Sequence, residues 1–580
     1  MPGQSRVSSF IGLIHISFDS AGLLCGRYLT PRAMTQVPFH SHLDIIRQRE
    51  EQFVALLERG QVSPLLLRQA FGGVYLLLVP LLIHHKDAFH SKALRYGFFA
   101  VICGFIVYTI CQIRVIGMGN GYGVGLITSW FFVWSATLLV FNDVQRDFKR
   151  IEKEYLDENS DEYKSISMSN GSAVSSGRYS NGDGEGKTRR QRTSPISSSN
   201  ATKPPKRKVY RWQSYPHSIL HRLDWVSDLI FNFRGPNWNW RIRPLPTLPE
   251  AVVKDCGGRE SVSQVDEDAW TRLRYAFRSF LRDYVALDII KVLMNRDPYF
   301  WGLVDHSPPP PFPFSILAFS PPLIRAYRLL LSMIGLVFVL DIILSLSALF
   351  FLGLSVAFPR FSRTITHQPL DEAWMYPELF GSVNSALDNG LAGAWNEWWH
   401  QLFRFGFSET ARFVSGLLLP HDGDEATPTS PLHRELRRAF RVVVAFSASG
   451  LLHAFGSYTQ FADTNPLHPF LFFFLQAVGI ALQRLCARSI IPREVSSKAP
   501  AWLKRATNLV FVSAWFYFTG PLIADDLSRG GLWLVEPVPI SLVRGLGLGG
   551  ADGEGWLCWR GPFLQWWSGK TWWQTGIRIV

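Results

Sequence analysis

The sequence predicts an all-α polytopic membrane protein of about 8 transmembrane helices, within a range of about 7 to 10, and three observations carry that expectation. Of 580 residues, 47% are hydrophobic, with 43 Phe and 21 Trp. Only 18% are charged, against about 25% in a soluble globular domain. Nearly uncharged stretches long enough to cross ~30 Å of hydrocarbon recur along the chain, and most of the charge lies between them.

Residues 1–64 form an N-terminal segment of open role, in which the apolar run Ile11–Ile16 is interrupted by His15 and followed by Asp19, so no secretory signal is read there. Residues 65–145 carry the first spans. Gln69–Ile83 is short, contains Pro80 and stops at His84, His85 and Lys86, whereas Tyr96–Ile113 and Val115–Asn142 are full length. Lys86, Lys92 and Arg95 follow the first, and Arg146, Lys149, Arg150 and Lys153 follow the third; alternate crossing puts both groups on the cytoplasmic side. Residues 146–210 read as a disordered basic cytoplasmic loop, because Asp157–Pro205 is Ser, Asn, Gly and charge with almost no aliphatic side chain to bury. Its basic end, Lys187–Lys208, supplies much of the net charge of +13. Beside membrane spans such a run meets anionic headgroups rather than nucleic acid, and the sequons Asn170 and Asn200 stay unmodified on that side.

Residues 211–325 read as amphipathic or re-entrant, and residues 326–525 as a membrane core with spans at Val442–Ala462, Pro466–Gln483 and Ala506–Ala524. Leu329–Pro359 is apolar apart from Asp341 and too long for one straight crossing; a tilted helix, two half-helices, or a span with an interfacial piece all fit. Residues 526–580 are rich in Trp and Gly, and Trp556, Trp559, Trp566, Trp567, Trp572 and Trp573 read as interfacial anchors. The six cysteines form no CxxC pair and stand at no ligand-like spacing to histidine, so neither a metal site nor a disulfide framework is expected.

Val442–Ala462 contains His453 and, beyond it, no ionisable side chain except Tyr458. An imidazole in hydrocarbon is costly unless it faces a protein interior or a wet cavity, so His453 is the leading candidate for chemistry, with a helix-packing histidine as the alternative. Three short segments are dense in Trp, Arg, Asn or His: Arg234–Arg241, Trp395–Arg404 and Ser447–His453. In the second, Asn396, Glu397, His400, Gln401 and Arg404 are interleaved with the aromatics, which anchoring alone does not explain. On a continuous helix Asn396, His400 and Arg404 share one face at a four-residue spacing.

The run Trp395-Asn396-Glu397-Trp398-Trp399-His400-Gln401 resembles the tryptophan-rich signature of membrane-bound O-acyltransferases, in which an acidic residue, two tryptophans and an Asn or His precede a downstream catalytic histidine. Arg234-Gly235-Pro236-Asn237-Trp238-Asn239-Trp240 resembles an element of the wax-synthase-like branch of that family seen in many fungal members, and Ser449-Gly450-Leu451-Leu452-His453 resembles the element carrying the catalytic histidine. The likeness covers roughly Arg211 to Val580, in the same order and spacing. One departure bears on substrate preference: wax-synthase-like members carry small and basic residues where this chain has Asn396, Glu397 and Trp398.

The resemblance implies a tunnel-containing fold and acyl transfer from acyl-CoA, with acetyl-CoA favoured, to a lipophilic alcohol in the lipid bilayer, with no tightly bound cofactor and no metal; insertion directed by the hydrophobic spans makes the endoplasmic reticulum the expected membrane of a eukaryotic chain. It implies His453 as general base, with His400 and Asn396 orienting the thioester or donating to it. Arg404 stands between a coenzyme A phosphate contact and a headgroup contact, and Asp341 between a helix–helix contact and a tunnel lining. A fungal terpenoid or polyketide secondary metabolite is the expected acceptor, with long-chain wax ester synthesis as the alternative. A polytopic transporter ranks behind both, since no internal repeat or matching pair of broken spans is present.

Overall fold

The computed structural model describes residues 39–84, 88–117, 120–157, 206–257, 267–419, 431–489, 499–559 and 561–580. The Ser- and Gly-rich loop with both sequons, and most of the basic run ending at Lys208, lie outside the described residues. Helix dominates, as the apolar runs require where water cannot satisfy the backbone. Helix α1 (His42–Glu58) starts where Asp44 accepts the backbone N–H groups of His40 and Ser41, 3.1 Å each. It is followed by α2 (Leu67–Leu82), α3 (Ala88–Gln112) and α4 (Asn120–Ala136), the last running on through a π turn to Phe141.

Five helices are long and apolar enough to cross a membrane: Lys92–Gln112, Asn120–Phe141, Pro321–Ala357, Leu432–Tyr458 and Leu467–Ala487. Ala501–Thr519 and Pro521–Gly530 pass the same test only as a bent pair, a broken span or a re-entrant loop, and meet at 42° where Pro521 lacks the N–H that would continue the ladder. The described residues therefore hold 5 candidate spans, or 6 with the bent pair, fewer than the about 8 expected, because the first expected span, α2, is apolar but short. Their outward faces carry exposed side chains such as Val101, Val107, Ile127, Phe350, Val510 and Phe518, as lipid-facing surfaces do. The stretch around Asp341 is one continuous helix of 37 residues, about 55 Å long and so tilted or protruding.

The loop read as disordered is ordered at both ends. Strand β1 (Arg150–Asp157) pairs antiparallel with β2 (Lys206–Gln213). Cross-strand and neighbouring ion pairs fix the ribbon: Arg211 with Glu152 and Glu154, and Lys153 with Asp371 and Glu372. Ile151 and Tyr210 pack beneath it against Leu248, Val252 and Val253. The bounds 146–210 are therefore too wide: the flanks of Asp157–Pro205 hold two inward side chains and long-range ion pairs that order a two-stranded ribbon.

Helix α5 (Ile219–Phe231) packs against α2, and the long amphipathic α6 (Ala269–Arg296) lies against α7 (Pro321–Ser347). Asp341 on α7 stands 3.5 Å from Arg282 and 3.4 Å from Ser279 of α6, which makes it a helix–helix contact. After α8 (Asn384–Gly393) and α9 (Arg404–Leu418) come α10 (Pro431–Tyr458), α11 (Leu467–Ser489), α12 (Ala501–Thr519) and α13 (Pro521–Gly530). Arg95 donates to Asn142 O (2.8 Å) and Gln145 to Ile83 O (2.7 Å), so the basic connections gather at one end of the bundle. Helix α10 runs antiparallel to α4, and Thr459 donates to Gly121 O (2.6 Å) at the opposite end.

Candidate active site

Helix α10 brings His453 inward because α4 and α10 approach unusually closely. Gly121 and Gly125 are four residues apart on one face of α4, and a Cβ on either would fall on α10 backbone at Thr459 or Phe455. From α10, Gly456 makes room for the Tyr122 ring. Small residues at this spacing let helix backbones meet where lipid supplies no hydrophobic drive.

That approach places the Tyr122 hydroxyl 2.6 Å from His453 Nδ1. The other face of the imidazole stacks on Phe473 of α11, with centroids 4.2 Å apart and planes at 18°. Nε2 makes no hydrogen bond to a described residue, and the half-buried ring keeps accessible surface although protein surrounds it. His453 thus faces the interior of the helix bundle with one nitrogen held and the other open.

The second Trp-rich segment does not form a single helical stripe. It is a π turn (Ala394–Trp398) followed by an extended Trp399, and helix resumes only at Arg404. Gln401 causes the interruption by donating its side-chain amide to the carbonyls of Trp395 (2.7 Å) and Trp399 (2.6 Å), taking acceptors that a helix would use itself. Asn396 is exposed, and its described hydrogen bond is through its backbone carbonyl, which accepts from Arg404 (2.9 Å). Arg404 also donates to Gln401 Oε1 (2.8 Å), so it braces the break. The expectation that Asn396, His400 and Arg404 share a face fails because helical periodicity does not survive the turn.

His400 instead lies among Phe380, Trp399 and Phe403, and its Nδ1 is buried without a hydrogen bond. Burial, and then the Arg234 cation, lower its pKa to about 4, so the ring is neutral. His400 and His453 lie within electrostatic reach of each other. Phe473, which stacks on His453, also packs against Trp395 at 5.8 Å.

Arg234 enters from the first Trp-rich segment and donates to the carbonyls of Glu378 (2.7 Å) and Pro377 (2.8 Å). The rest of that segment is structural. Asn237 and Trp238 are buried, Asn237 O accepts from Ile151 N (2.6 Å), and Trp238 packs on Trp225 at 4.8 Å.

Tyr122 was not picked out by sequence reasoning. It lies 331 residues from His453 and reads as one more aromatic at the start of a span; the faint signal was the glycine pair flanking it.

Residues 376–475 match the model of the Membrane bound O-acyl transferase family, an interval that holds Asn396, His400, Arg404 and His453. That match, together with relatives named acetyltransferases, supports a membrane-bound O-acyltransferase. Relatives of this acyltransferase include acetyltransferase nanB of Aspergillus nanangensis, 23% identical over 58% of this chain and 74% of the relative. Acetyltransferase aurG of Calcarisporium arbuscula is 25% identical over 52% of this chain and 65% of its own length. Acetyltransferase eriL of Hericium erinaceus is 27% identical over 30% and 41%. No solved structure matches the chain. The enzyme is an integral, multi-pass acyltransferase, and a membrane family of this kind uses an acyl donor in a lipid environment.

Proposed function

We propose that this acyltransferase moves an acetyl group from acetyl-CoA to a hydroxyl of a hydrophobic small molecule, a fungal terpenoid or polyketide secondary metabolite, in the endoplasmic reticulum membrane. The observation that carries the reading is His453: an inward-facing imidazole inside the family-matched interval, held at Nδ1 and open at Nε2. The acetyl preference rests on the relatives, which are titled acetyltransferases.

In the base-competent tautomer Nδ1–H donates to the Tyr122 oxygen and Nε2 carries the lone pair. Nε2 takes the alcohol proton as the alcohol oxygen bonds to the thioester carbonyl carbon. The tetrahedral oxyanion then collapses, the carbon–sulfur bond breaks, and the departing thiolate takes the proton back from the imidazolium. Ester and free coenzyme A are formed, and His453 is regenerated. Neutral His400 donates its ring N–H to the developing oxyanion. Asn396 and Arg404 serve the site by shaping the loop that presents His400, a positioning role, and Arg404 is not assigned to a coenzyme A phosphate.

Membranes containing the enzyme, supplied with acetyl-CoA or palmitoyl-CoA and a panel of terpenoid and polyketide alcohols, test this. Mass spectrometry is expected to find acetate esters. Palmitate esters alone would assign wax ester synthesis instead.

A further inference from the structure

At the end of the bundle opposite the basic ribbon, α1, the turn before α4, the C-terminus of α13 and the segment 535–563 enclose a cavity of about 510 Å³. Small-molecule sites usually span roughly 300 to 1,000 Å³. Much of its wall is apolar, from Val115, Phe461, Leu534, Trp559 and Phe563. Its arginines are engaged within the protein. Arg544 is bidentate to Glu536 at 2.8 Å for each bond, and Arg49 donates to the carbonyls of Gly530 (3.2 Å) and Arg529 (3.0 Å). Glu554 accepts from the N–H groups of Gly550 (2.6 Å) and Ala551 (3.0 Å). Arg47, largely exposed, pairs with Asp44 (3.0 Å).

His42 is the exception. It lines the cavity, is 1% exposed, and neither of its ring nitrogens is hydrogen-bonded. Nε2 stands 3.6 Å from Glu554 Oε1, beyond hydrogen-bonding distance. Burial, and then the Lys291 cation, lower its pKa to about 4, which leaves a neutral ring with one donor and one acceptor. A buried polar group in that state lacks a partner, and an alcohol hydroxyl, itself donor and acceptor, supplies one.

Further polar groups without full partners lead from the cavity towards His453. Gln460 is 4% exposed with both amide atoms unbonded, and it is pressed against Gly530 of the cavity wall. Asp526 is 1% exposed with Oδ2 unbonded, and its Oδ1 accepts from Ser457 (3.0 Å), one helical turn after His453. Asn120 lines the cavity two residues before Tyr122.

We propose that this cavity is the entry site for the lipophilic alcohol, with His42 capturing its hydroxyl before the molecule passes Gln460 and Asp526 to reach His453. The assignment rests on the acyltransferase reading above. It places the alcohol at the end of the bundle opposite the basic connections, where the cavity offers apolar walls and an unpartnered buried imidazole.

The test uses the full chain in membranes, with farnesol and acetyl-CoA as probes, and compares wild type with His42→Phe, Ile116→Trp and His42→Gln. The KM for farnesol is expected to rise about tenfold in the first two, while the KM for acetyl-CoA moves less than twofold and His42→Gln, which keeps donor and acceptor, recovers most of the loss. A farnesol analogue bearing a diazirine is expected to label peptides containing Phe461 or Trp559, and excess farnesol to suppress the labelling. Ester formation with an unmoved farnesol KM and no labelling there would overturn the entry site alone. Labelling of the cavity with no ester from any alcohol would keep the site and overturn the acyltransferase reading.

Discussion

In the proposed mechanism Nδ1–H of His453 donates to the Tyr122 oxygen 2.6 Å away, which holds the tautomer with its lone pair on Nε2. Tyr122→Phe removes that oxygen and leaves the ring to fill the space beside Gly456. We expect kcat to fall about 10- to 100-fold, the range for lost outer-shell partners, with both KM values little changed and the pH–rate profile displaced; an unchanged profile and kcat would make Tyr122 a packing residue. Two other histidines bear on stability. Burial lowers both His42 and His400 to about 4 from an ordinary value of 6.5. The unfolded chain therefore binds more protons between those values, and stability falls as pH drops from 6.5 towards 4. His400→Gln should flatten the dependence of Tm on pH in that window, and equal slopes for variant and wild type would refute it. His453 was legible in the sequence because a lone imidazole stands out against apolar neighbours. Tyr122 was not, because a tyrosine at the start of a span has many ordinary reasons to be there.

The pairing of α4 with α10 aligns the candidate site, and it depends on what is missing from Gly121 and Gly125. In Gly125→Leu the new side chain would have to enter the carbonyl of Phe455. The helices would separate, the Tyr122–His453 bond would lengthen, and we expect activity to drop more than abundance; Gly123→Leu, at a position with open space, should be close to neutral and serves as its control. The second Trp-rich segment shows where element-level reading from sequence runs out. The four-residue spacing of Asn396, His400 and Arg404 is real, but the side-chain amide of Gln401 competes for the carbonyls of Trp395 and Trp399 and stops the helix between them. Side chains that take backbone acceptors break periodic patterns in ways that residue spacing does not report.

At the scale of the whole molecule, composition identified the membrane class, and the apolar runs located most of the long helices. The β1–β2 ribbon was hidden, because its order comes from partners far along the chain. Arg150 at its base is fully buried, and it pairs with Asp224, stands 3.7 Å from Asp228 and donates to Gln213 (2.6 Å). Removing one member of such a buried network leaves uncompensated charge and costs about 3–5 kcal/mol. Arg150→Ala should therefore lower the amount of folded protein in membranes, while Arg146→Ala, whose side chain is largely exposed, should not.

The account stands or falls with proton acceptance at His453, and it is tested most directly by the rate of acetyl-CoA-dependent ester formation in membranes containing His453→Ala at wild-type abundance. The expected loss is at least about 100-fold, the lower bound for removing a general base. Turnover within twofold of wild type would contradict it.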